Sequence, residues 1–134
     1  MDCLIDTCVW IDHLRQGTPE QTRQLASEVL NRPDAVVCEL VWFELLRQCP
    51  KSERMGIEKR LLTFPMLSTP ADLWPKATVL GQQCRDAGVQ VGVTDLLMAT
   101  LCQHHEAALV TFDRHFSLLA GVIGFETEIL QRPA

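Results

Sequence analysis

The sequence predicts an α/β fold, a single three-layer α/β/α domain over residues 1–134 with a central, mainly parallel sheet. Three observations lead there. Short apolar runs at Cys3–Ile5, Ala35–Val37 and Ala107–Phe112 alternate with longer segments of helical periodicity, the pattern of strands joined by crossover helices. The runs lack the in–out alternation of a half-exposed sheet, as expected of parallel strands covered on both faces. Finally, 134 residues with 47% apolar and 22% charged side chains can bury one core without a disulfide or metal staple. Repeats, low-complexity tracts and linkers are absent from the sequence.

Cys3–Ile5 is the first strand, followed by a helix over 7–15 with Val9, Trp10, Ile11 and Leu14 at helical spacing. Thr18-Pro19-Glu20 opens a second helix with Leu25, Val29 and Leu30 on one face, and Asn31–Asp34 is a turn cluster. Ala35–Val37 is the second strand and Cys38–Gln48 a helix closed by Cys49-Pro50. Residues 51–63 form a charged helix whose apolar side is Met55, Leu61 and Leu62. Phe64–Leu67 suits a short strand, and 70–87 a long helix ended by Gly88. After the short apolar segment 89–93, a helix capped by Thr94 runs to His105. Ala107–Phe112 is the best strand of the chain, and Val122-Ile123 is read as the last, short one.

The chain carries 17 Asp and Glu against 12 Lys and Arg, a net charge of −5. That balance excludes a basic, nucleic-acid-wrapping tail and a disordered chain, but not a phosphodiester substrate held through a cation. Asp2 and Asp6 stand where a signal peptide needs positive charge, and the densest apolar stretch, 118–125, is far short of a membrane span. The expectation is a cytoplasmic protein that makes no use of a membrane. The cysteines at 3, 8, 38, 49, 84 and 102 form no Cys-x-x-Cys pair, and five of them read as small buried hydrophobes rather than zinc ligands.

Four acids sit in positions that helix surfaces do not explain. Asp6 and Asp113 each follow a predicted strand directly, at the sheet edge where ligand sites of open parallel sheets collect. Each is equally suited to capping the helix that follows. Glu44 continues the stripe of Val37, Leu40 and Val41 on one helix face, which calls for a partner arginine, a cation, or an early end to the buried stripe. Asp95 enters at the head of a helix that is apolar on nearly all sides, either as a site acid or as a favourable charge at the positive helix end. Carboxylates brought close together raise one another's pKa unless something compensates. Hard divalent cations do so, since Mg²⁺ and Mn²⁺ prefer oxygen donors, and the chemistry this suits is metal-assisted phosphodiester hydrolysis.

These residues carry a resemblance over essentially the whole chain to PIN domains, and among them to VapC-type toxin ribonucleases. Leu4-Ile5-Asp6-Thr7-Cys8-Val9-Trp10-Ile11-Asp12 resembles the first family motif, Phe43–Arg47 the second, Thr94–Ala99 the third and Val110–Phe116 the fourth. The resemblance implies that Asp6, Glu44, Asp95 and Asp113 are the catalytic and Mg²⁺- or Mn²⁺-binding residues, with Thr111 and, less directly, Thr7 in support. It further implies an endoribonuclease toxin with an RNA substrate, a small antitoxin protein that blocks the acidic site, and a homodimer. Two departures stand out: Cys8 and Cys38 occupy places where serine is common.

The alternative is a PIN-domain scaffold with little or no nuclease activity. Its mark would be a lost acid, and none is lost. A phosphotransfer phosphatase would want an acid at position 8, and a receiver domain a late lysine, whereas the last lysine is Lys76. Asp12 reads as a solvated acid, the four histidines share no ligand spacing, and Trp10, Trp42 and Trp74 suit core or interface positions. Arg114 and His115 fit a phosphate contact by resemblance and the surface equally well. Lys51, Arg54, Lys59 and Arg60 read as a solvated helix face.

Overall fold

The described residues build an all-parallel sheet of five strands in the order β3-β2-β1-β4-β5, with seven helices around it. A computed structural model describes residues 1–133; Ala134, the last residue of the expected domain, lies outside the described residues. The strands are β1 (Cys3–Ile5), β2 (Ala35–Cys38), β3 (Met66–Leu67), β4 (Ala108–Thr111) and β5 (Thr127–Ile129). The helices are α1 (Thr7–Leu14), α2 (Glu20–Leu30), α3 (Glu39–Gln48), α4 (Lys51–Leu61), α5 (Leu73–Asp86), α6 (Val93–His105) and α7 (His115–Ile123). The order of elements makes the predicted three-layer α/β/α fold.

The three central strands are the apolar runs of the sequence. Leu4 and Ile5 are fully buried, and every residue of β2 and β4 is buried. In-register pairing of Leu4 with Val36 on one side and Leu109 on the other locks β1 into the middle. α1 packs on α2 and α3, and α3 on α4, whereas α5, α6 and α7 pack on one another. These two groups form the two outer layers. Trp10 is fully buried, its ring edge-on to Phe64 at a centroid distance of 5.0 Å, an arrangement that adds to its large apolar burial.

Four expectations need correction. Val122 and Ile123 belong to α7, because Phe116, Leu119 and Ile123 follow helical spacing and are all buried; the last strand is β5, at 127–129. Of the apolar side assigned to α4, only Leu61 is buried, and Met55 and Leu62 are exposed at 69% and 70%. α5 starts at Leu73 rather than Pro70, since 70–72 form a turn closed by the Leu73 amide on the Pro70 carbonyl. Pro75 is tolerated in its first turn, where no helical partner for an N–H exists. The cysteines are all free thiols, but only Cys38, Cys84 and Cys102 are fully buried, the other three being partly buried. Gly88, at φ 74°, turns the chain out of α5 as expected. No helix among the described residues is long and apolar enough to cross a membrane.

Candidate active site

From β1 the chain builds outward to β2 and β3, then returns to lay β4 against the other side of β1 and β5 beyond it. The reversal falls between β1 and β4, and in an open parallel sheet a crevice opens at that point beyond the carboxyl ends of the strands. Asp6 leaves β1 there and Asp113 leaves β4 there. Both reach the crevice for the topological reason that their sequence positions suggested.

Asp6 is 8% exposed and caps α1. Its Oδ1 accepts a hydrogen bond from the Thr7 amide at 2.8 Å, and its Oδ2 one from the Thr111 hydroxyl at 2.7 Å. The capping reading of Asp6 holds, and its second carboxylate oxygen remains engaged with Thr111. The Thr111 hydroxyl in turn accepts from the Asp113 amide at 3.0 Å. Thr7, directly after Asp6, donates through its hydroxyl to Glu44 Oε1 at 2.7 Å. The partner of Glu44 is thus a threonine of α1, and not an arginine. One continuous hydrogen-bonded chain runs Glu44–Thr7–Asp6–Thr111–Asp113 and joins two strand ends and two helices.

Asp95 joins this group through charge. It lies in the first turn of α6, half-buried, and the cap of that helix is Gly92 rather than the expected Thr94. The Leu96 amide bonds the Gly92 carbonyl at 3.0 Å, which moves Thr94 and Asp95 inside the helix. Burial pushes the Asp95 carboxyl above its ordinary range; the charges of Asp113 and Glu44 push it further, and His115 opposes them. Burial also raises Asp6 most, against the lowering effect of hydrogen bonds from Thr111, Cys8 and Thr7, with the Asp95 charge adding to the rise. Asp95 is therefore the acid at which the charges of Asp113 and Glu44 are felt, and its own charge is felt at Asp6.

Cys8 takes part in a way its residue type did not announce. Its thiol donates to Asp6 Oδ2 at 3.4 Å and stands 3.4 Å from the Thr111 hydroxyl. Burial and then the Asp6 charge push it up to about 12, so it stays protonated and acts as a weak donor. Asp12, read as solvated, is instead paired: its side chain is 14% exposed and meets the Arg132 guanidinium at 3.0 Å. His115 is held by its ring, with Nε2 at 2.7 Å from the Gln90 carbonyl, while its amide bonds Asp113 Oδ1 at 2.9 Å. Trp10 is core, whereas Trp74 is 64% exposed.

The donor set offers carboxylate oxygens, a choice that fits Mg²⁺ or Mn²⁺ and not a softer metal. Among the described residues no three His, Cys, Asp or Glu side chains stand close enough to form a ready-made cage. Mg²⁺ usually takes one or two carboxylates directly and keeps much of its water shell. The raised carboxyls of Asp6 and Asp95 fit it too, because a neighbouring cation relieves both burial and like charge.

A family model described as the PIN domain matches residues 3–122. Among solved structures, the fold is shared with DNA-bound VapBC from Salmonella typhimurium, with a TM-score of 0.72 at 18% identity over 96% of this chain and 98% of that one. It is also shared with VapBC2 from Rickettsia felis bound to a DNA fragment from their promoter, with a TM-score of 0.71 at 16% identity, covering 98% of this chain and all of the other. VapBC-1 from nontypeable Haemophilus influenzae gives 0.69 at 15% identity, with 96% and 98% covered. No curated protein sequence matches the chain significantly.

Proposed function

The chain belongs to the PIN domain family, and from that premise we propose that it is a Mg²⁺- or Mn²⁺-dependent endoribonuclease, the toxin of a toxin–antitoxin pair. The observation that carries this reading is the hydrogen-bonded chain from Glu44 to Asp113, with Asp95 electrostatically coupled to it. Three acids linked through two threonines, with a fourth coupled to them by charge, are hard to explain as a scaffold, which has no need to gather like charge.

The roles follow from the contacts. Asp6, Glu44, Asp95 and Asp113 would hold the cation, which when bound polarises the phosphate and lowers the pKa of a water. Thr111 fixes the Asp6 carboxylate and the Asp113 backbone together, and Thr7 does the same for Glu44. Carboxylate oxygens left free by these bonds accept hydrogen bonds from the attacking water and orient it in line with the scissile bond. Setting the four acids aside leaves 13 acids against 12 bases in the whole chain, so the acidity is concentrated where a cation would reverse its sign.

The partner reading is a small antitoxin protein, supported by neighbours that are VapBC complexes. Phe43, Trp74, Val93 and Leu118 are large apolar side chains left more than half exposed, which suits a chain that covers surface with an antitoxin and a second copy of itself. A cytoplasmic site of action goes with an RNA target.

Two assays test the reading. Purified protein cleaves single-stranded RNA with Mg²⁺ or Mn²⁺ and stops in EDTA, whereas cleavage that ignores EDTA contradicts it. Expression arrests growth and co-expression of the neighbouring small gene product relieves the arrest; growth without arrest favours the scaffold.

A further inference from the structure

A groove of about 840 Å³ is walled by the C-terminal half of α5, the Gly88–Gly92 connection and the start of α7. Its lining includes Arg85, Gln90 and His115, and none of its lining residues is acidic. Arg85 is exposed on this wall with no acid among the lining residues, so its charge is open to an anionic ligand. The groove adjoins the acids through His115, which lines it and whose amide bonds Asp113 Oδ1 at 2.9 Å. Gly92 is three residues before Asp95, and His115 two residues after Asp113.

Two features keep this groove open and shaped. Gly88, at φ 74°, and Gly92 both expose bare backbone: a Cβ at either would meet no atom within 4 Å. Backbone without side chains allows close approach of a phosphate. The His115 ring, 2.7 Å from the Gln90 carbonyl, ties this connection to the turn that carries Asp113. A carbonyl only accepts, so Nε2 carries the proton in that bond. The groove wall and the fourth acid are thereby held in one piece.

We propose that this groove seats the single-stranded RNA next to the scissile phosphodiester, with Arg85 contacting a flanking phosphate and His115 positioning the wall. The proposal rests on the ribonuclease reading and names where that substrate lies. Phosphate contacts of this kind add affinity without reading sequence, and each adds to the salt dependence of binding.

The test is fluorescence anisotropy of a labelled single-stranded RNA, titrated at several salt concentrations with Ca²⁺ as the only divalent cation. Wild type is compared with Arg85→Ala, Arg85→Lys and, as a control on another face, Arg54→Ala. Arg85 and Arg54 are both exposed, so neither change threatens folding. Arg85→Ala is expected to weaken binding by about 5–10-fold for every sequence tried and to flatten the log–log salt slope by about 0.7. Arg85→Lys retains the slope, and Arg54→Ala changes neither quantity. In cleavage assays with Mn²⁺, Arg85→Ala raises KM and leaves kcat unchanged. RNA binding by the wild type that Arg85→Ala leaves intact, or that Arg54→Ala weakens equally, overturns the groove while the nuclease reading stands. A wild type that neither binds nor cleaves RNA overturns both.

Discussion

The Thr111 hydroxyl donates to Asp6 Oδ2 at 2.7 Å, across 105 residues of sequence, and at the same time accepts the Asp113 amide at 3.0 Å. One hydroxyl thus sets the separation of two site acids at the ends of neighbouring strands. Thr111→Val keeps the shape but leaves the Asp113 amide and a buried carboxylate oxygen short of a partner, at a cost of about 1–3 kcal/mol. The expected outcome is RNA cleavage lowered at least ~10-fold, with activity largely kept in Thr111→Ser. Kinetics of the two variants side by side, with circular dichroism to monitor folding, checks this.

Asp95 is raised by burial and by the Asp113 and Glu44 charges. The metal-free folded state therefore holds this proton at pH values where the unfolded chain has released it. The resulting contribution is present below the ordinary carboxylate range and lost as pH rises through the folded pKa. Asp95→Asn removes that loss. In EDTA the variant melts higher than wild type by roughly 2–4 °C at neutral pH, with the gap closing toward pH ~4. Added Mn²⁺ raises the wild-type Tm more than that of the variant. Thermal melts over this pH range decide the matter, and a gap that widens toward acid contradicts the assignment.

Glu106 closes α6 in the left-handed region, at φ 53° and ψ 38°, where a side chain is disfavoured. The Ala107 amide bonds back to the Cys102 carbonyl at 2.9 Å across this turn, so the conformation is required. Glu106→Gly is expected to raise stability by about 0.5–1 kcal/mol without touching cleavage. Urea unfolding measures it.

Arg132 lies over the Phe112 ring at 4.3 Å and pairs with Asp12 at 3.0 Å, pinning the C-terminal segment across α1 and the exit of β4. Arg132→Ala should cost about 1 kcal/mol through both contacts. Arg132→Lys recovers only part of it, since an ammonium does not stack as a planar guanidinium does. Thermal unfolding of the two variants provides the comparison.

What could be read from the chain follows burial. β1, β2 and β4 are covered on both faces, so apolar composition alone marks them. β5 is a short edge strand with an exposed glutamate at its centre, and nothing in Thr127–Ile129 separates it from a loop. The apolar residues of 116–123 carry a helical period that a two-residue reading at Val122-Ile123 overlooks. Among the site acids, Asp6 and Asp113 are marked by position after a strand, a local cue. The bond from Thr7 to Glu44 spans 37 residues and depends on how α1 packs on α3. That packing is a tertiary fact, and no spacing encodes it. Arg85 and Gln90 carry no motif and become visible only when α5, α6 and α7 assemble around them.

The central claim is that the coupled acids are a metal-assisted hydrolytic site, and Asp95 offers the cleanest test because burial and neighbouring charge, with no hydrogen bond among the described residues, set its carboxyl. Asn is nearly isosteric, and Asp6 is less suitable since its carboxylate also caps α1. The decisive measurement is RNA cleavage by folded Asp95→Asn and wild type at saturating Mn²⁺. A loss of ~10²-fold or more in the variant, with the wild type silenced by EDTA, is the predicted result. Cleavage by Asp95→Asn at the wild-type rate would contradict it.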